Sequence, residues 1–149
     1  MQVSWAIRLL SVYCMMVLAP MSEYVYGIPE DQNRPVETTV CAMVTNPPPF
    51  DSKSVAFEGR IRSDGVHMVG ADDLQCPGKL VRLLLPRAVS DADGIEALRR
   101  AIYSGHAGTI DKDIFARVIG VMRVRAEGKP PLSIEVAKVE NIKVIKKSP

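Results

Sequence analysis

The sequence predicts a mainly β domain: a small five-stranded barrel with one helix between its third and fourth strands and a short helix in front. Three observations carry this expectation. Two stretches alternate apolar and polar residues with the period of a half-buried strand, one amphipathic helical stretch interrupts the series of strands, and Gly59 and Gly120 fall mid-strand, where a small barrel must bend. With 149 residues, 47% of them apolar and 24% charged, and a net charge of +2, the chain has room for one domain and is neither disordered nor membrane-embedded in composition.

The first quarter differs from the rest. Arg8 precedes an apolar run from Leu9 to Ala19, which Pro20 ends, matching the charged and hydrophobic regions of an export signal. The run is too short for a bilayer core, which needs about 20 residues. Val25 and Gly27 offer a cleavage site, so residues 1–27 read as a signal peptide and Ile28 as the mature start; a cut after Ser22 fits less well. The alternative is an uncleaved anchor extended through Tyr24 to Tyr26. Cys14 follows the bulky Tyr13 within the apolar run, so no lipid is expected there. Loss of the leader removes Arg8 and Glu23 together, and the net charge stays at +2. The destination is the periplasm or the exterior.

Residues 28–37, with Pro29 and Pro35 among polar residues, read as a disordered lead-in to a domain over 38–149. Thr38 to Asn46 suits either a short helix capped by Thr38 or a strand, and Pro47, Pro48 and Pro49 stop either one. Val55, Phe57, Gly59 and Ile61 alternate with Ala56, Glu58, Arg60 and Arg62 in the first barrel strand. Ser63-Asp64-Gly65 then turns the chain into a second strand over Val66 to Gly70. Leu80 to Leu85 is the third. The helix follows, with Asp93 and Glu96 as reciprocal cap, Ile95, Leu98 and Ile102 on one face, and Gly105 at its stop. Ile114 to Arg125 alternates again, Glu127 to Pro131 turns, and Leu132 to Ile145 is the last strand, its phase slipping near Glu140-Asn141 in the manner of a bulge.

Three strands, a helix and two strands is the element order of the OB-fold, a Greek-key barrel. The stretch from Val40 to Gly59, VCAMVTNPPPFDSKSVAFEG, resembles the opening of small exported bacterial OB-fold-like proteins. In these a short segment ending in Asn-Pro leads through an aromatic and a Lys into the first barrel strand. The resemblance extends over the mature chain and implies a helix for residues 38–46. Its motif is structural and implies no catalytic residues, and Ser52 stands where such proteins often have a Gly before the Lys.

The mature chain keeps two cysteines, Cys41 and Cys76. An even pair in an exported chain reads as a disulfide, worth about 3 to 4 kcal/mol on the chain-entropy account. The rival is a metal site from Cys41, Cys76, His67 and His106, but no two of these have the close spacing of a zinc motif and His106 sits in a Gly-rich turn. No metal or cofactor is therefore expected. Nor is catalysis. His67 stands alone in a strand, Asp72 and Asp73 are adjacent and read as solvated turn residues, and Asp91, Asp93, Asp111 and Asp113 sit where caps and turns use carboxylates.

Nucleic-acid binding, which the barrel suggests, is not expected. Stacking platforms need exposed aromatics in a basic groove, and the mature chain has only Phe50, Phe57, Tyr103 and Phe115 at a net charge of +2. A modest basic stripe remains. Arg60 and Arg62 face outward on the first strand, and Arg117, Arg123 and Arg125 on the fourth, its neighbour in such a barrel; together they form a candidate patch for an acidic envelope protein, a glycan or another anionic ligand. The plainer reading is a solvated face partly neutralised by Glu58 and Glu135. Two functions stay open: a non-catalytic binding module of unknown ligand, and a structural accessory protein of the cell envelope. A pocket of convergent polar groups favours the first and an exposed apolar patch the second.

Overall fold

Alternation fixes which side chains meet across the first pair of long strands. The computed structural model describes residues 34–87, 93–125 and 132–148. In it Ser54–Ser63 forms β2 and Lys112–Val124 forms β5, and their antiparallel register sets Val55, Phe57, Gly59 and Ile61 opposite Gly120, Val118, Ala116 and Ile114. Every second residue of β5 from Lys112 to Met122 is buried. The four facing pairs line one wall of the core, and the glycines sit where it is tightest. A Cβ on Gly59 would meet the Asp72 carbonyl oxygen at 3.2 Å, and one on Gly120 would lie 2.4 Å from that of Glu135.

The remaining elements are β1 (Val36–Glu37), α1 (Val40–Thr45), a 3-10 turn over Pro48–Phe50, β3 (Val69–Asp72), β4 (Leu80–Leu84), α2 (Ile95–Tyr103) and β6 (Leu132–Lys146). Hydrogen-bonded neighbours run β2-β3-β4-β6-β5 and return to β2, closing a five-stranded barrel of OB-like topology; the β4–β6 pair is parallel and the others antiparallel. Closure leaves no free edge along the paired lengths. Ile95, Leu98 and Ile102 of α2 are fully buried in the core with Phe57, Ile61, Ile114, Met122 and Ile134.

The ambiguous segment after Glu37 is helical. Its cap is Thr39 rather than Thr38: the Thr39 hydroxyl accepts the Ala42 N–H at 3.1 Å, while the Thr38 N–H donates to the Ala56 carbonyl at 3.0 Å. Val40 and Met43 bury the inner face of α1, and Cys41 on the same helix is bonded to Cys76 in the β3–β4 loop, their Cα atoms 5.6 Å apart. The slipped phase of the last strand is also present. Between Phe115 and Arg117 the β6 partner jumps from Lys143 to Glu140, and Asn141 takes a φ of 54°. A second shift lies between Ile119 and Gly120.

Four expectations are corrected. The lead-in over 28–37 is ordered at its end, since Val36 and Glu37 pair in parallel with Val55 and Ala56 on the edge of β2 that β3 does not reach. The second barrel strand starts at Val69, not Val66, because the Asp64 carboxylate gathers the amides of residues 66–68 into a loop, and His67 lies in that loop. Asp93 does not cap α2. The cap position is Gly94, at φ 69° and so close to β6 that a Cβ would lie 2.0 Å from the Val139 carbonyl oxygen, and Glu96 pairs instead with Arg99. Asp72 is no solvated turn residue: it closes β3 and takes the Arg60 guanidinium through two bonds of 2.9 and 2.8 Å. The signal peptide over 1–27, residues 28–33, Asp91 and the turn at Glu127 to Pro131 lie outside the described residues.

Candidate binding site at the loop end of the barrel

One end of the barrel is built by two touching loops. Residues 64–68 join β2 to β3, and residues 104–111 join α2 to β5. The first is organised by Asp64, whose Oδ1 accepts the N–H groups of Val66, His67 and Met68 at 2.9, 2.8 and 3.0 Å. Hydrogen bonds to the ionised form, from Met68, Val66 and His67 in that order, hold its carboxyl well below the usual range, at about 2. The second is tied to the end of β2 by Thr109, which is buried. The Ser63 N–H donates to Thr109 Oγ1 at 3.1 Å, and the Thr109 N–H donates to the Ser63 carbonyl at 3.1 Å.

Glycine lets the loops touch. A Cβ on Gly65 would lie 2.8 Å from the Ala107 carbonyl carbon, and one on Gly108 would lie 2.7 Å from the Ser63 carbonyl oxygen. Beneath them Lys112, only 3% exposed, points inward at the start of β5. Its ammonium donates to the Ser104 carbonyl at the carboxyl end of α2 and to the His106 carbonyl at 3.3 Å, which suits the negative end of the helix dipole.

Two concavities flank the β2–β3 loop. One, of about 310 Å³, lies between that loop, the end of β4 and α2; its walls include Val66, His67, Met68, Arg82, Arg99 and Tyr103. The other, of about 450 Å³, is bounded by Arg62, Asp64, Met68, Leu80, Thr109 and Ile110. Ser63 and Met68 belong to both. The rim is unusually apolar for a loop end, with Val66 74% and Ile110 79% exposed.

The predicted arginines divide into two sets. Arg60 is held by Asp72, Arg117 by Glu37 with Glu140 at 3.5 Å, and Arg123 by Glu135 at 2.9 Å. Hydrogen bonding to these carboxylates pushes all three guanidinium pKa values up and holds that of Glu37 down. Arg62 and Arg125 make no ion pair among the described residues. Arg117 and Arg123, six positions apart on one extended strand, are separated by roughly 20 Å at about 3.3 Å per residue. The five therefore lie along β2 and β5, with Arg62 at the loop end and Arg123 and Arg125 toward the other.

His67 and His106 each face one carboxylate, Nδ1 lying 3.7 Å from Asp64 Oδ2 and 3.5 Å from Asp111 Oδ2. Both imidazoles are more than four-fifths exposed. Among the described residues no group of three or more His, Cys, Asp or Glu is placed to hold a metal ion.

Sequence reasoning missed Arg82, Arg99, Met68 and Ile110. Met68 was hidden in an expected strand and Arg82 in an apolar one. Ile110 carried a usable signal, a large apolar residue two positions after the turn sequence Gly105-His106-Ala107-Gly108. Compared with known protein families, curated proteins and solved structures, the chain finds no match.

Proposed function

We propose that this protein is an exported, non-catalytic binding module that engages its ligand through the loop end of the barrel. One observation carries the reading: the two concavities beside the β2–β3 loop each contain an arginine, Arg82 or Arg62, that makes no ion pair among the described residues, while Arg60, Arg99, Arg117 and Arg123 all meet carboxylates. Convergent polar groups in an apolar cleft are the usual form of a small ligand site. The non-catalytic part rests on the sequence, which offers no Ser/His or Cys/His arrangement once Cys41 and Cys76 are used in a bond. Export is supported by the leader-like sequence and by the Cys41–Cys76 bond, which an oxidising compartment maintains. No helix among the described residues is long and apolar enough to cross a membrane.

A second reading, a structural accessory protein of the envelope, is favoured by the exposed Val66, Ile110 and Leu74, which would suit a protein contact better than solvent. One experiment separates the two. The exported protein, incubated with envelope extract and examined by native mass spectrometry, should retain a small-molecule mass that an Arg62→Ala/Arg82→Ala variant loses. A protein partner lost instead on Val66→Ser/Ile110→Ser would replace the first reading with the second.

A further inference from the structure

We propose that the 310 Å³ cleft between the β2–β3 loop and α2 takes an amphipathic anion, its carboxylate or phosphate on Arg82 and its hydrocarbon part across Met68, Leu85 and Tyr103. The inference rests on the binding reading above and adds the chemical class of the ligand.

Charge argues for the anion. Arg82 stands on β4 between Gly70 of β3 and Ser133 of β6, half-buried, with no carboxylate partner among the described residues. A guanidinium withdrawn from water needs acceptors, and neither of these cross-strand neighbours carries a charge. The other charges at the cleft are already matched. Arg99 is held by Glu96 and the Pro86 carbonyl, and His67 has Asp64, outside the cleft's lining, 3.7 Å away. Among the described residues one positive charge is left over, that of Arg82, for an anionic head group to meet.

Shape and lining argue for the rest. Val66, Met68, Val69, Leu85 and Ile102 give the cleft apolar walls, and Tyr103, 53% exposed, stands at its mouth. The volume is at the low end for small-molecule sites, roughly 300–1,000 Å³. That admits a short acyl or aryl group and excludes a folded partner. A nucleic-acid strand is disfavoured too, because, among the described residues, Tyr103 is the one Phe, Tyr or Trp lining the cleft and Arg82 its one unmatched cation.

Amide NMR of the exported protein, titrated with octanoate, octyl phosphate, octyl glucoside and acetate, tests this. Octanoate and octyl phosphate should both shift Met68, Leu85 and Tyr103, and the stronger of the two identifies the head group. Octyl glucoside, which lacks the charge, should bind about tenfold more weakly or worse, the weight of one charge-assisted pair, and acetate, which lacks the chain, should lose at least as much with its apolar contacts. Arg82→Gln should reduce octanoate affinity to the same extent and Arg82→Lys less. The comparison of head groups on the unaltered protein decides the matter even if Arg82→Gln does not fold. Equal response to octanoate and octyl glucoside would overturn the anion inference and leave the cleft a binding site. Silence toward all four, with a small molecule still retained from envelope extract, would overturn it while the broader reading stands. Binding to phosphatidylglycerol vesicles without any response to octanoate would also overturn it, placing the anion in a bilayer surface.

Discussion

Asp64 shows how much one side chain can organise. Its carboxylate gathers three consecutive amides, and its pKa of about 2 lies below the ordinary 3.8 because those bonds favour the ionised form. The sign of the linkage follows. The contribution to folding is fully present above about 3.8 and is lost as pH falls through about 2. Amide shifts of Val66, His67 and Met68 should titrate together with that midpoint. Asp64→Asn should abolish the titration, and Asp64→Ala should speed hydrogen exchange at all three. Ser52 offers a second test. It takes a φ of 60°, a conformation that costs a residue with a Cβ about 1 to 2 kcal/mol, while glycine loses roughly 0.5–1 kcal/mol of that gain to chain entropy. Ser52→Gly should therefore raise stability by about 0.5–1 kcal/mol in urea denaturation.

Between elements, close backbone approach is the recurrent constraint. β6 passes so near β5 that Gly120 has no room for a methyl group. Gly120→Ala should cost roughly 1–3 kcal/mol by overpacking, seen as a lowered urea midpoint. If the midpoint does not move, the strands are farther apart than the register implies. The Cys41–Cys76 bond ties α1 to the β3–β4 loop across 35 positions. Its removal in Cys41→Ala/Cys76→Ala should destabilise by about 3 to 4 kcal/mol on the chain-entropy account. Alternation made β2 and β5 legible, because a buried face repeats every second residue. It did not reveal where β3 begins, since Val66 and Met68 look like strand residues until the Asp64 carboxylate claims their amides.

For the molecule as a whole, the net charge of +2 is distributed as pairs more than as a field. Glu37, Asp72, Glu135 and Glu140 meet Arg60, Arg117 and Arg123 along the barrel wall. Retention on heparin should accordingly be weak, and Arg117→Glu/Arg123→Glu should shift it little. A large loss of retention would restore the stripe as a binding surface. Barrel closure, by contrast, gathers residues from β2, β4, α2 and the loops at one end.

Local pattern alone determined the order of the five barrel strands and α2 and the buried faces of β2, β5 and α2, because periodicity needs no knowledge of neighbours, whereas the helical state of α1 and the approach of Cys41 to Cys76 were settled by the fold. The barrel's loop end was decided only by tertiary structure. Arg82 became notable when its cross-strand neighbours proved to be Gly70 and Ser133, and Arg60 ceased to be a surface charge when Asp72 came opposite it. Both outcomes depend on register between distant strands. A linear sequence specifies that register through the sum of packing contacts, and no single residue displays it.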